Sequence, residues 1–295
     1  MLGYNFLYDI FMNEILERLK QLDLDIDNIV PIKGGDINDA FRLESFNKKY
    51  FLKLNTANNF PDLFKKEARA LDTIRKTETF YTPNVLNVGE TDNNFQYLIL
   101  EWIETAEPTL VNWENLGRNL AKFHQNTNDK FGWNEDNYIS IVVQPNNFTT
   151  SWSDFYTNNR IIPMMKLLQN KQLITTKEVK AATRLCQQLD NIFPVEKPTL
   201  IHGDFWNGNI LATKDGEFAV VDPAIYYGHR EMDLAIAKLF GGFDDTFFDA
   251  YQEISPLENN HEERLPIAQL FPLLIHAYLF EGYYVKDVQT ILKKF

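Results

Sequence analysis

The segment Leu200-Ile201-His202-Gly203-Asp204-Phe205-Trp206-Asn207-Gly208-Asn209-Ile210-Leu211 interrupts a half of the chain that otherwise reads as helix. Two short β-like runs, Thr199 to His202 and Phe218 to Val221, flank a loop rich in Gly, Asn and Asp. Asn209 follows Asp204 by five residues, and Asp222 follows Asn209 by thirteen, at the end of the apolar run Ala219-Val220-Val221. A lone Asp or Asn in a loop is usually a turn former. The combination His-Gly-Asp, four residues, Asn, then a strand and Asp-Pro is far rarer by chance, and its context gives it meaning.

Transfer of a phosphoryl group to an alcohol needs a carboxylate that orients the hydroxyl and accepts its proton. It also needs oxygen ligands for Mg²⁺ and positive charge on the phosphates. Asp204 supplies the base, Asn209 one metal ligand, and Asp222, leaving a buried strand, a second ligand with hard oxygens. His202 reads as structural, bonded to the loop backbone.

The preceding residues offer the phosphate grip. Lys53 lies inside the apolar run Tyr50-Phe51-Leu52-Lys53-Leu54, where a lysine is costly unless paired. Glu67 follows fourteen residues later in a helical stretch, Leu63 to Arg75. A strand lysine held by a helix glutamate orients α- and β-phosphates in kinases; a lysine snorkelling to solvent and an outward glutamate would give the same sequence. Gly34-Gly35 upstream lets backbone amides approach phosphate, although a tight turn would use the same pair. The run Leu98 to Ile103 is an apolar strand whose end, Glu101-Trp102-Ile103, offers backbone groups to an adenine edge or is plain core. Neither G-x-G-x-x-G nor G-x-x-x-x-G-K-[ST] is intact, so a dinucleotide fold and a P-loop are unsupported.

Apolar spacing predicts a helix over 9–22, broken by Pro31 and Gly34-Gly35. Strands are expected at Ala40 to Leu43, Tyr50 to Leu54 and Phe95 to Ile103. Helices are expected at Leu116 to Gln125, 152–170, 177–191, Glu231 to Phe240 and after Leu265. The layout is α+β and bilobal: a small β-rich lobe over 1–103, with the phosphate grip, and a larger, mainly helical lobe over 104–295, with the catalytic loop. A net charge of −12 argues against nucleic acid or an anionic membrane as partner, while leaving room for a nucleotide held by local donors and a metal. Cys186 is alone, so no intrachain disulfide forms. With no basic leader and no long apolar run, a cytoplasmic location is expected.

At this point the chain resembles the fructosamine kinase (ketosamine-3-kinase) family. The likeness rests on Ile201 to Asn209 and on Val221-Asp222-Pro223-Ala224-Ile225-Tyr226-Tyr227-Gly228-His229-Arg230-Glu231-Met232-Asp233-Leu234-Ala235. It extends to Gly34 to Asn38, Phe51 to Lys53, Phe131-Gly132-Trp133 with Asn137-Tyr138-Ile139, Gln144-Pro145-Asn146 and Leu239 to Phe243. Trp206 and the Asp-Pro-Ala-x-Tyr-Tyr-Gly-His-Arg-Glu motif separate this family from aminoglycoside and choline kinases.

The resemblance implies a protein-kinase-like fold of the aminoglycoside phosphotransferase kind. It implies ATP- and Mg²⁺-dependent phosphorylation of a ketoamine sugar, such as fructosamine or ribulosamine, or of a glycated amine, at the O3 hydroxyl. By position, Asp204 becomes the base, Asn209 and Asp222 the metal ligands, Lys53 with Glu67 the grip, and Glu101 to Ile103 the adenine-binding hinge. Trp206 is expected near the sugar, and Asp233 as a holder of the catalytic loop. Two departures stand out. Some relatives carry a subunit-linking cysteine in the phosphate loop, and none occurs near Gly34. Ser140 stands where the pattern implies glycine. A kinase acting on an aminoglycoside, choline or homoserine-like alcohol remains open, as does a nucleotide-binding pseudokinase, although the latter typically lacks the base or a metal ligand. Oligomeric state is unreadable at this level.

Overall fold

The protein is described by a computed structural model covering residues 12–21, 24–32, 38–58 and 60–295. Gly34 and Gly35, and the ends of the expected first helix, lie outside these residues. Five antiparallel strands form the first half: β1 (Asn28–Ile32), β2 (Asp39–Ser45), β3 (Lys48–Thr56), β4 (Val85–Glu90) and β5 (Phe95–Glu101), in the order β1-β2-β3-β5-β4. Pro31, expected to break structure, sits in β1. That strand is at the sheet edge, where a missing N–H leaves no ladder bond unmade.

Strand alternation divides the sheet into two faces. Phe41, Leu43, Tyr50, Leu52, Leu54, Tyr97 and Ile99 pack with Met12, Ile15 and Leu19 of the helical residues 12–20. On the other face Phe51, Leu98 and Leu100 meet Phe64 and Leu71 of the helix Leu63–Arg75. Lys53 shares that second face, because it alternates with Leu52 and Leu54 and pairs in register with Leu98. Glu67 lies between Phe64 and Leu71 at three- and four-residue spacing, on the inward stripe of the helix. Sequence periodicity thus aims a cation and a carboxylate at each other.

The second half is helical around two short strand pairs. Thr199–Ile201 pairs with Tyr226–Gly228, and Ile210–Ala212 with Phe218–Val220. The helix Leu110–Phe123 starts at a capping box, in which Thr109 and Asn112 bond each other's backbone N–H. It packs tightly on Asp245–Ile254 because Gly117 leaves no side chain where a Cβ would strike the Phe247 carbonyl. The helix expected over 152–170 is continuous but contains a π-turn, Thr157–Ile161, between Trp152–Tyr156 and Ile162–Asn170. The one expected over 177–191 divides into Thr176–Cys186 and Leu189–Ile192. The C-terminal helices are His261–Ala268, Leu270–Phe280 and Gly282–Leu292. No helix among the described residues is long and apolar enough to cross a membrane.

Candidate active site

The strand Thr199–Ile201 is wholly buried and delivers His202 into the interior. Gly203 then turns with φ +82°, and a Cβ there would meet the Ala224 carbonyl, so only glycine fits the bend. The backbone N–H groups of His202 and Gly203 donate to the two oxygens of Asp233, at 2.8 and 2.9 Å. Asp233 is fully buried in the first turn of the helix Glu231–Phe240, and His124 Nε2 lies 3.2 Å from the same carboxylate. Tyr251 Oη meets His124 Nδ1 at 2.8 Å. His202 faces the Val221 carbonyl through Nε2 at 3.1 Å, and its Nδ1 accepts from the Asp204 N–H at 3.3 Å. Burial holds this ring below the ordinary histidine range, with Asp233 pulling the other way. His202 therefore serves the loop backbone.

Asp204 follows, anchored by the buried Phe205 ring among Phe80, Phe243 and Phe247. The Asn209 amide nitrogen donates to both the Asp204 carbonyl and its carboxylate, each at 2.9 Å. Burial pushes the Asp204 carboxyl up to about 7, opposed by the Asn209 bond and reinforced by the charges of Asp222 and Asp233. The cleft leaves this residue half-buried, and water reaching it there works against the rise. The Asn209 carbonyl in turn accepts from the Val221 N–H at 3.0 Å, joining the loop to the strand end that carries Asp222.

Asp222 adopts a left-handed backbone, φ +54°, which is strained for a residue with a side chain. Its carboxylate is paired with Lys53, whose ammonium also donates to Glu67 Oε1 at 2.7 Å. Burial works against the Lys53 charge, but the two carboxylates outweigh it and hold the lysine above its ordinary value. Burial pushes the Glu67 carboxyl up, with Lys53 opposing and the Asp222 charge adding.

Lys53, Glu67, Asp204, Trp206, Asn209 and Asp222 line one cleft of about 490 Å³. Glu101, Trp102 and Ile103 are not in its lining. The Glu101 carboxylate is occupied by Tyr81 Oη at 2.7 Å and by the Asn84 N–H and side-chain amide at 3.1 and 2.7 Å. Trp102 lies between Phe51 and the Arg42 guanidinium. The β5 ladder ends at Glu101, two residues earlier than expected, so Trp102-Ile103 form the connection between sheet and helices.

Other cleft residues were not singled out from the sequence as site residues. His276, Phe280 and Tyr284 come from the last two helices and form an aromatic wall, with Phe240 centred 4.6 Å from His276 and 6.0 Å from Trp206. The stretch Tyr278 to Tyr284 reads from sequence only as core or interface. A hairpin of Asn137–Ile139 with Val142–Gln144 forms another wall, and Ser140 at its turn has φ +57°. A left-handed position there explains why the family pattern implies glycine.

Comparison with known proteins finds similarity along nearly the whole chain. The family model described as fructosamine kinase matches residues 11–295. The protein named "Probable ketoamine kinase slr1563" of Synechocystis is 36% identical over 264 residues, spanning 89% of this chain and 88% of that protein. A solved structure from Haemophilus somnus that carries a fructosamine-3-kinase name superposes with a TM-score of 0.85 at 27% identity, over 94% of each chain. Aminoglycoside phosphotransferase APH(4)-Ia, solved with ADP and hygromycin B, shares the fold, with a TM-score of 0.62 at 16% identity over 95% of this chain and 97% of that one. An α+β chain of protein-kinase-like fold whose match to the family runs nearly end to end, this protein belongs to the fructosamine kinase family.

Proposed function

We propose that this protein transfers the γ-phosphoryl group of ATP to a hydroxyl, O3, of a ketoamine sugar such as ribulosamine or fructosamine. One observation carries the reading: Asp204, locked by Asn209, shares a single cleft with Lys53 and its two carboxylate partners. Asp204 orients the acceptor hydroxyl and takes its proton as the oxygen attacks phosphorus. Lys53, fixed by Glu67, grips the α- and β-phosphates. The connection Glu101 to Ile103 offers adenine backbone groups beyond the Glu101 N–H, which already donates to the Asn84 carbonyl while the Glu101 side chain is engaged too. Trp206, 39% exposed at the cleft, packs against the sugar. Gly34 and Gly35, expected from the sequence to approach phosphate, lie outside the described residues.

The residues fit magnesium. Asn209 spends its amide nitrogen on Asp204, which leaves the side-chain oxygen for a cation, and Asp222 adds a carboxylate on the same cleft. No cluster of three or more His, Cys, Asp or Glu forms a self-sufficient metal site among the described residues, as suits an ion whose remaining ligands are phosphate oxygens and water. Bound there, Mg²⁺ would neutralise phosphate charge.

The test is ATP turnover with Mg²⁺ on ribulosamine, fructosamine, kanamycin and choline. Ketoamine-only turnover is expected, falling about 10³-fold in Asp204→Asn. Activity confined to kanamycin or choline would move the substrate class, and undiminished turnover in that variant would remove Asp204 as base. Because the base acts unprotonated and burial raises its carboxyl above the ordinary aspartate range, kcat/KM for the acceptor should fall as pH drops from neutral into the mildly acidic range. A flat profile from mildly acidic to neutral pH would contradict this assignment.

A further inference from the structure

The helix that carries Glu67 is held from outside its own sheet. Arg69, two residues beyond Glu67, makes a bidentate pair with Glu135: Nε to Oε1 at 2.8 Å and Nη2 to Oε2 at 2.6 Å. Glu135 belongs to the helical half of the chain and immediately precedes the cleft-lining hairpin. The same hairpin reaches the helix start: Tyr138 Oη donates to the Pro61 carbonyl at 3.1 Å, and its ring meets Phe60 edge-on and the Lys66 ammonium at 4.8 Å.

The far side of this strut is buried. The Asn146 side chain donates to the Glu135 carbonyl at 3.0 Å, and its backbone N–H to Asp136 Oδ1 at 2.9 Å. Arg160 donates to Asn146 Oδ1 at 2.7 Å and to the Pro145 carbonyl at 2.5 Å. Arg160 is completely buried, in the π-turn, and forms no salt bridge among the described residues. Its charge is met by carbonyl oxygens and by the rings of Tyr226, Phe155 and Phe271 at 4.1, 4.7 and 5.2 Å. Asn137 ties the hairpin to the Ile225 carbonyl, three residues beyond Asp222. The strut therefore runs from the core behind the catalytic motif to the outer face of the Glu67 helix.

Resting on the kinase reading above, we infer that Glu135 is a positioning residue: through Arg69 it fixes the helix that aligns Glu67 with Lys53, and so sets the nucleotide grip from the acceptor side of the cleft. Glu135 also lines the cleft, so direct contact with the acceptor is the rival role. The two roles separate in a double-mutant cycle of Arg69→Ala and Glu135→Ala. Kinetics, MgATP affinity by calorimetry and thermal midpoints are measured for each. Arg118→Ala, which breaks the exposed Arg118–Glu253 pair elsewhere, is the control.

Each single variant should lower kcat about fivefold and weaken MgATP binding by a similar factor, the scale of one well-formed exposed ion pair. The double variant should be no worse than either single. Acceptor KM should stay within about twofold of wild type, and the charge swap Arg69→Glu with Glu135→Arg should recover part of the loss. Additive losses, unchanged MgATP affinity in both singles, or an acceptor KM raised by Glu135→Ala alone would overturn the inference. The calorimetric arm decides the matter even if no ketoamine is turned over, which would count against the function reading instead.

Discussion

The proposed catalytic loop and the proposed phosphate grip are held by different means. The loop hangs on Asp233, a carboxylate with no solvent exposure that receives two backbone N–H groups and faces His124, itself backed by Tyr251. The grip rests on Lys53 between Glu67 and Asp222, and its helix leans on Arg69, whose side chain is 54% exposed. Bonds in a dry interior are strong and indifferent to salt. Ion pairs near water, such as Arg69–Glu135, are weak and screened, whereas the Lys53–Glu67 pair is itself buried. The Asp204 loop is thus held by buried bonds, while the outer tether of the Glu67 helix is exposed and sensitive to salt.

Three substitutions test that contrast. Asp233→Ala strips two backbone donors and His124 of their acceptor, and should cost about 3 kcal/mol in a urea titration. A loss below about 1 kcal/mol would mean the loop is held by its Phe205 packing instead. Arg69→Ala, which removes only the exposed pair to Glu135, should shift the urea midpoint far less than Asp233→Ala. A collapse in stability equal to that of Asp233→Ala would erase the distinction between the two regions. Ser140→Gly relieves a left-handed backbone at the hairpin turn and should add about 1 kcal/mol of stability; a loss would show that the serine side chain holds the turn.

Much of this site was legible before the fold was known, and for a physical reason. Lys53 and Glu67 sit on periodic stripes, so strand alternation and helix spacing fix where they point. Asp204 and Asn209 share one loop, and a short loop leaves few ways to arrange them. The Glu135–Arg69 pair spans 66 residues of sequence between charges that also read as ordinary surface. Arg160 is buried only because a π-turn and three aromatic rings converge on it, and no local pattern announces either. The edge strand β1 was missed because proline counts as a breaker unless its partner-free side is known. The aromatic wall at His276 and Tyr284 depends on two C-terminal helices folding back over the cleft.

The two halves of the chain share a core as well as a cleft. Ala70, Ile74 and Phe80 pack with Trp113, Leu116, Phe123 and Phe205 in one apolar cluster. The Val220 N–H, two residues before Asp222, donates to the Tyr81 carbonyl, and the contacts of Arg69 and Tyr138 add a second tie. A wide hinge opening between the halves would expose that shared apolar surface to water, a cost that local side-chain movement avoids.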